Sequence, residues 1–324
     1  MEIVRGISTL SRSLEHPVVT IGNFDGVHLG HREIIAQAIG KARARGGTCL
    51  AYTFRPHPQA ALKPELGVQL LSTYDEKLQE LERLGVDVVI EEPFSREFSV
   101  IGWEQFFNDC LLRRLNLEEI VVGYDFSFGK ERQGHIEALQ AACQKASVAL
   151  TVVPPQRVDG EIVSSSRIRR HLLKGEIEAA NSLLGSAFYY RGVVIRGEGR
   201  GRQLGFPTAN LKIENKLALP YGVYATMAFP SAFPGTPAQT PVLSVTNVGV
   251  RPTFQPSSSG STEDSGFPAL VETHLIGVTQ DLYGKPLEVR FLRKLRDERR
   301  FNGVEELKTQ IRRDIVNAST ALKF

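Results

Sequence analysis

Hydrophobic and polar positions follow two different rhythms along this chain, and the change falls around residues 185–188. Before it, apolar runs rich in β-branched residues alternate with stretches of helical period. The runs are Val18 to Asn23, Thr48 to Phe54, Val86 to Glu91, Glu119 to Gly123 and Val148 to Val153. Between them the spacing predicts helices near 29–45, 73–84, 102–115 and 134–146, the second opened by a capping box at Thr73-Tyr74-Asp75-Glu76. Alternation of this kind predicts an α/β domain, a parallel sheet wrapped by helices through right-handed crossovers.

After the change, short strands separated by turn residues take over: Phe188 to Arg196, Gly222 to Phe229, Val242 to Val248, Leu270 to Ile276 and Leu287 to Phe291. From Val304 to about Ala318 the period is helical again, with Leu307, Ile311 and Ile315 on one face. This half reads as a small antiparallel β-barrel closed by one helix. Two inserts rich in Pro, Ser and Gly, Pro230 to Pro241 and Gln255 to Pro268, read as mobile loops. The chain therefore divides into two domains, 1–185 and 186–324.

In open parallel sheets ligands bind at the carboxyl ends of the strands, and the first strand runs into Gly22-Asn23-Phe24-Asp25-Gly26-Val27-His28-Leu29-Gly30-His31. Glycines at 22, 26 and 30 let backbone approach a ligand, and the helix start that follows attracts a phosphate. His28 and His31, three apart, can reach the same phosphate oxygens, although two histidines at a helix start are equally well ordinary polar residues. Further strand ends run into Arg55-Pro56-His57-Pro58 and Gly123-Tyr124-Asp125-Phe126-Ser127-Phe128-Gly129. Ser164-Ser165-Ser166-Arg167-Ile168-Arg169 precedes a helical stretch to about Leu184, and offers hydroxyls, helix-terminal N–H groups and a guanidinium.

The His-x-Gly-His string after Gly-x-Phe-Asp-Gly resembles the signature of the nucleotidylyltransferase superfamily, in the form carried by the FAD synthetase module of bacterial bifunctional riboflavin kinase/FMN adenylyltransferases. The resemblance implies a Rossmann-like nucleotidylyltransferase domain in which His28 and His31 are catalytic. It further implies that Gly22, Phe24, Asp25 and Gly26 bind ATP, and that Ser165, Ser166 and Arg169 serve its β- and γ-phosphates.

In the second half, four glycines lie within Gly197-Glu198-Gly199-Arg200-Gly201-Arg202-Gln203-Leu204-Gly205, followed by Phe206-Pro207-Thr208-Ala209-Asn210. Alone, the glycines read as a mobile loop. With the Gly-Phe-Pro-Thr-Ala-Asn string attached they resemble the ATP-binding element of riboflavin kinases, and the pattern continues in Tyr221 to Ala225, Asn247 to Phe254, Val271 to Leu275, Leu282 to Lys285 and Phe291 to Arg296. The resemblance implies phosphate contacts at Gly197, Gly199, Gly201 and Arg202. It also implies Mg²⁺ ligands at Thr208 and Asn210, and Glu272 as the base for the ribityl 5′-hydroxyl. His57, Asp125, Phe126 and Arg293 are its flavin-site candidates. Two stretches depart from the pattern, Leu275 to Asp281 and the expanded 255–268 loop, both near the presumed flavin edge. The implied activity is riboflavin to FMN in the barrel, then FMN to FAD in the α/β domain, with ATP as the second substrate of each.

Composition changes this picture little. The 324 residues are 42% hydrophobic and 23% charged, as in ordinary globular proteins. A net charge of +3 suits anionic small molecules as well as nucleic acid. The basic cluster from Arg290 to Arg300 lacks an aromatic platform and reads as a solvated strand end, so no nucleic-acid partner is expected. Cys49, Cys110 and Cys143 show no metal-site or disulfide spacing and read as buried thiols of a reducing compartment. With no leader-like start and no span-length apolar run, the expected location is the cytoplasm, without a membrane partner. Oligomers are left open.

Overall fold

The computed structural model of the chain describes residues 1–197, 199–213, 216–230, 240–250, 269–278 and 280–320. The residues form two compact units, Met1–Ser165 and Ser166–Phe324. The 255–268 insert, most of the 230–241 insert and the Arg251 to Phe254 part of the kinase-like pattern lie outside the described residues.

In the first unit the strands are β1 (Glu2–Arg5), β2 (Val18–Ile21), β3 (Cys49–Arg55), β4 (Val88–Pro93), β5 (Glu119–Gly123) and β6 (Ala149–Val153). All neighbours pair in parallel, in the order β1-β4-β3-β2-β5-β6. The order reverses between β2 and β5, which makes the carboxyl ends of these two strands the switch point of the sheet, where ligands bind in folds of this kind. β1 escapes the sequence reading because it is a four-residue edge strand with only Val4 buried.

Helices cover both faces. α1 (Leu29–Ala44) buries Ile35, Ala38 and Ala42 on one face, joined there by Leu78 and Leu81 of a later helix, while α2 (Pro58–Leu62) is a single turn. That later helix, α3 (Tyr74–Leu84), starts on the expected capping box: the Glu76 N–H donates to Thr73 Oγ1 and the Thr73 N–H to Glu76 Oε2. α4 (Arg96–Ser99) and α5 (Trp103–Gln105) follow, and α5 runs on as a π-helical stretch, Phe106–Arg114. Phe106, Phe107 and Leu111 of that stretch pack on the other face with Leu139 and Cys143 of α6 (Ile136–Ala146). Burial pushes the Cys49 thiol up to about 12 and the Cys143 thiol up to about 11. Cys110, expected to be buried, is partly exposed.

A two-residue hairpin, β7 (Arg157–Val158) and β8 (Glu161–Ile162), turns at Asp159-Gly160, both at positive φ. The helical stretch expected to Leu184 is two helices, α7 (Ser165–Lys174) and α8 (Ile177–Leu184). Gly175 at φ +77° ends the first, a backbone state that costs glycine little. The serines expected before the helix begin it instead.

The second unit is a closed six-stranded antiparallel barrel built from β9 (Tyr189–Ile195), β10 (Ala209–Ile213), β11 (Gly222–Pro230), β12 (Val242–Val250), β13 (Ala269–Leu275) and β14 (Pro286–Arg296). Its order is β10-β13-β12-β11-β14-β9, closed by β9 on β10. A short helix, α9 (Arg200–Leu204), interrupts the glycine-rich loop, and α10 (Val304–Thr320) packs against β11, β12 and β14. Tyr190, Tyr224 and Phe291 fill the interior edge to face, beside the fully buried hydroxyls of Thr226, Ser244, Thr246 and Thr273. In the 290–300 cluster β14 runs on to Arg296; Arg290, Arg293, Arg299 and Arg300 are exposed, as a solvated strand end and turn requires, and Arg290, Arg293, Lys294 and Arg296 each also make an ion pair.

Candidate active sites

At the end of β2 the chain makes a strained turn, with Phe24 at φ +50°, Gly26 at +78° and Val27 at +38°. A β-branched residue at positive φ persists only where the surroundings over-determine it. Here almost every polar group of the turn is tied down. The Asp25 carboxylate accepts from the Leu71 N–H (2.9 Å) and the Ser72 N–H (3.2 Å). The Gly26 N–H donates to Ser72 Oγ (3.0 Å), and Arg32 Nε donates to the Val27 carbonyl (2.9 Å). Thr53 Oγ1 and Lys77 Nζ both donate to the Asn23 carbonyl, at 3.2 and 3.4 Å. Ser165 Oγ donates to the Asp25 carbonyl (3.1 Å).

His28 caps α1: its Nδ1 accepts from the His31 N–H (3.3 Å), so its proton sits on Nε2. The His31 ring stacks on the His28 ring and meets the buried edge of Phe24 at 5.4 Å. His31 Nδ1 is enclosed and has no hydrogen-bond partner among the described residues. Desolvation first, then the nearby His28 and Lys77, hold the His31 imidazole well below its usual range, so it is neutral at pH 7. The arrangement is a pair of neutral imidazoles on a rigid turn at the switch point.

Other predicted residues of this unit take varied places. Phe24 puts its ring into the core, and Asp25 acts as a latch for residues 71–72. His57 caps α2 and its N–H donates to the Tyr74 hydroxyl (2.8 Å). Asp125 is exposed beyond β5, and Phe126 stacks on Phe128 at 5.2 Å. Ser166 and Arg169 lie on α7, in the second unit. Lys77, which sequence reasoning passed over, is 4% exposed, with its ammonium donating to Thr53 Oγ1 at 2.9 Å. Burial brings it down from 10.5 to about 8.

The barrel carries a cavity of about 710 Å³ between its outer wall and α10, within the range of small-molecule sites. One end is lined by Gly197, Gly199, Arg200, Gly201, Thr208 and Asn210, the other by Val223, Val245, Phe301, Leu307 and Ile311. Glu272 lies along the same wall. Strand pairing places it directly across from Asn210 on β10 and from Asn247 on β12. The period of two explains the selection: Thr246 and Thr273 face the barrel interior, so Asn247, Glu272 and His274 face the cavity.

The glycine loop packs closely on Asn210 and Thr208. A Cβ on Gly197 would stand 2.3 Å from Asn210 Nδ2, and one on Gly201 would stand 3.2 Å from Thr208 Oγ1. Asn210 is 5% exposed, and its Oδ1 has no hydrogen-bond partner among the described residues. Thr208 precedes β10 rather than lying within it. Arg202 is exposed and does not line the cavity, whereas Arg200 does; Arg293 is likewise absent from the lining and pairs with Glu178 at 2.5 Å. Asn247 and His274 stood inside quoted motifs, and strand alternation would have picked them out beside Glu272.

Residues 10–167 match the FAD synthetase family and residues 184–322 the riboflavin kinase family. The chain is 34% identical to the bifunctional riboflavin kinase/FMN adenylyltransferase of Escherichia coli (strain K12), over 98% of this chain and 97% of that protein. Its identity to the protein of the same name from Bacillus subtilis (strain 168) is 33%, over 92% and 90%. A solved structure from Streptococcus pneumoniae, named as a macrolide-efflux protein, superposes with a TM-score of 0.84 at 28% identity and covers 98% of both chains. Among the described residues here no helix is long and apolar enough to cross a membrane. With both matched segments in the same order as in relatives that align along nearly their whole length, the chain belongs to the bifunctional riboflavin kinase/FMN adenylyltransferases, enzymes that phosphorylate riboflavin to FMN and adenylylate FMN to FAD.

Proposed function

We propose that the two reactions run at two separate sites, adenylylation at the β2 turn and phosphorylation in the barrel cavity. In the first, an FMN phosphate oxygen attacks the α-phosphorus of ATP. The bond from that phosphorus to the β-bridging oxygen breaks, and pyrophosphate leaves with the electron pair. No protein nucleophile takes part. His28 and His31 act as neutral hydrogen-bond donors to charge developing on the α-phosphate, held ready by the tied turn. Ser165, Ser166 and Arg169 take the β- and γ-phosphates.

In the cavity the ribityl 5′-hydroxyl attacks the γ-phosphorus, its proton passes to Glu272, and ADP leaves. The observation that carries this reading is Glu272 set between Asn210 and Asn247, with the glycine loop at one end of the cavity and apolar residues at the other. That polarity fits ATP phosphates at one end and a flavin ring at the other. The residues also fit Mg²⁺: the orphaned Asn210 Oδ1 is a hard oxygen, and the Thr208 hydroxyl is a second. Thr208 and Asn210 would hold the ion, which supplies charge neutralisation to the phosphates.

The kinase domain is taken to start at residue 186, and the enzyme to work in the cytoplasm without nucleic-acid or membrane partners. The test is chromatography of FMN and FAD formed by two variants. Glu272→Gln is expected to lower FMN formation by about 10²–10⁴-fold while FAD formation from supplied FMN persists. His31→Ala is expected to abolish FAD formation with FMN formation nearly intact. Equal loss of both activities in a folded variant would sink the two-site reading.

A further inference from the structure

We infer that His274 is a positioning residue of the kinase site: its imidazole ties the Phe206-Pro207-Thr208 segment to the strand that carries Glu272. In doing so it fixes the spacing between the base and the metal-binding oxygens. The inference rests on the reading of the cavity given above.

The register of β10 on β13 runs Leu211 with Val271, Asn210 with Glu272 and Ala209 with Thr273, and there it stops. Continued by one residue, it would set Thr208 opposite His274. Pro207 has no N–H to donate, and among the described residues no backbone ladder holds this segment. His274 supplies the missing link from its side chain, with Nδ1 2.8 Å from the Pro207 carbonyl oxygen. A carbonyl only accepts, so Nδ1 carries the proton. The same ring meets Phe206 edge to face, centroids 5.7 Å apart at 87°.

From the other side the Phe206 N–H donates to the Gly201 carbonyl at 2.8 Å, and Gly201 lies against Thr208. The segment bearing the Thr208 hydroxyl is thus clamped between the glycine loop and His274. Glu272 and His274 are two residues apart on one strand face, so a bond to His274 sets the distance from the Pro207–Thr208 peptide to Glu272.

Three substitutions in the full-length enzyme test this. His274→Leu keeps bulk and removes the donor. His274→Asn returns an N–H close to the Nδ1 position, and His274→Gln puts its N–H near the Nε2 position instead. Misplacement of about 1 Å at a reacting centre costs on the order of 10²-fold, so His274→Leu is expected to lower kcat for FMN formation by about 10–100-fold. It should also raise the Mg²⁺ concentration needed for half-maximal rate, with the KM for riboflavin little moved. His274→Asn should recover most of the loss and His274→Gln little of it.

FAD formation from supplied FMN and the melting temperature control for folding. If His274→Leu fails to fold, the comparison of Asn with Gln decides alone. A His274→Leu enzyme with unchanged kcat and Mg²⁺ dependence, or Asn and Gln variants that behave alike, would overturn the inference. Glu272→Gln and Asn210→Ala run in the same assay separate the two levels. If they keep FMN formation, the cavity reading itself fails; if they lose it while His274→Leu does not, only the role of His274 does.

Discussion

The imidazoles of His28 and His31 lie face to face, 3.7 Å between ring centroids and 14° from parallel, with Gly30 packed against the His28 ring. A Cβ at Gly30 would stand 3.3 Å from two atoms of that ring. Gly30→Ala should therefore have opposed effects. Alanine in a helix is favoured over glycine by about 0.5–1 kcal/mol, so the melting temperature should hold or rise. FAD formation should fall about tenfold or more as the His28 ring is pushed aside. Assay and calorimetry on one preparation check both.

Lys77 places a buried charge behind this pair. Lys77→Met removes it, so the His31 imidazole should protonate at a higher pH than in the wild type, as read by NMR titration. Stability gives a second readout. The unfolded lysine titrates near 10.5 and the folded one near 8, so between these values the unfolded state binds more protons. Wild-type stability should then rise with pH relative to Lys77→Met from about pH 8 towards 10.5, run parallel to it between about pH 7 and 8, and fall away from it at lower pH, where His31 is harder to protonate in the wild type. Denaturant titrations at several pH values decide it.

In the barrel, Arg296 at the end of β14 grips Asp314 of α10 with bonds of 2.8, 3.0 and 3.2 Å, and Asp314 is 2% exposed. Removal of one partner of such a pair strands the other charge. Asp314→Ala should cost about 3–5 kcal/mol of barrel stability and, because both residues line the cavity, lower FMN formation. FAD formation from supplied FMN should survive at temperatures where the barrel has melted.

Residues 186–324 should fold and phosphorylate riboflavin alone, and a fragment from residue 166 should be more stable. The longer fragment keeps α8, where the Asn181 side chain donates to the Phe291 carbonyl (2.9 Å) and accepts from the Phe188 N–H (2.8 Å). Thermal melts of the two fragments compare them directly; a shorter fragment of equal stability would show that α8 contributes nothing to the barrel.

Much of this architecture is legible in the chain because its elements announce themselves by period. Five of the six parallel strands are β-branched runs between helical stretches, and Thr73 with Glu76 marks a helix start that the structure places within one residue. What period misses is short or set from a distance. The β7–β8 hairpin has two residues per strand, yet Asp159-Gly160 is the dipeptide that such turns favour and could have been read. The break at Gly175 hides in a helical pattern because one glycine is compatible with either outcome. In the sites, His28, His31, Asn210 and Glu272 stand out by their motifs. Lys77 does not, because it is tied to the turn through Asn23, 54 residues away; His274 lies inside a quoted motif, but its bond to Pro207, 67 residues away, leaves no mark on the sequence.

The pairing of β9 with β14 means that the first strand of the barrel waits for the last. During synthesis every strand of the six-stranded parallel sheet has emerged by Val153, roughly 140 residues before β14 is complete at Arg296. At about 5–20 residues per second that is a lead on the order of ten seconds. A chain cut short before Pro286 would carry an intact first unit and a barrel whose β9 and β11 both expose open edges, the geometry that recruits strands from other molecules. Truncation of the message is thus asymmetric: it yields an adenylyltransferase burdened with a sticky half-barrel, and never a kinase without its partner activity.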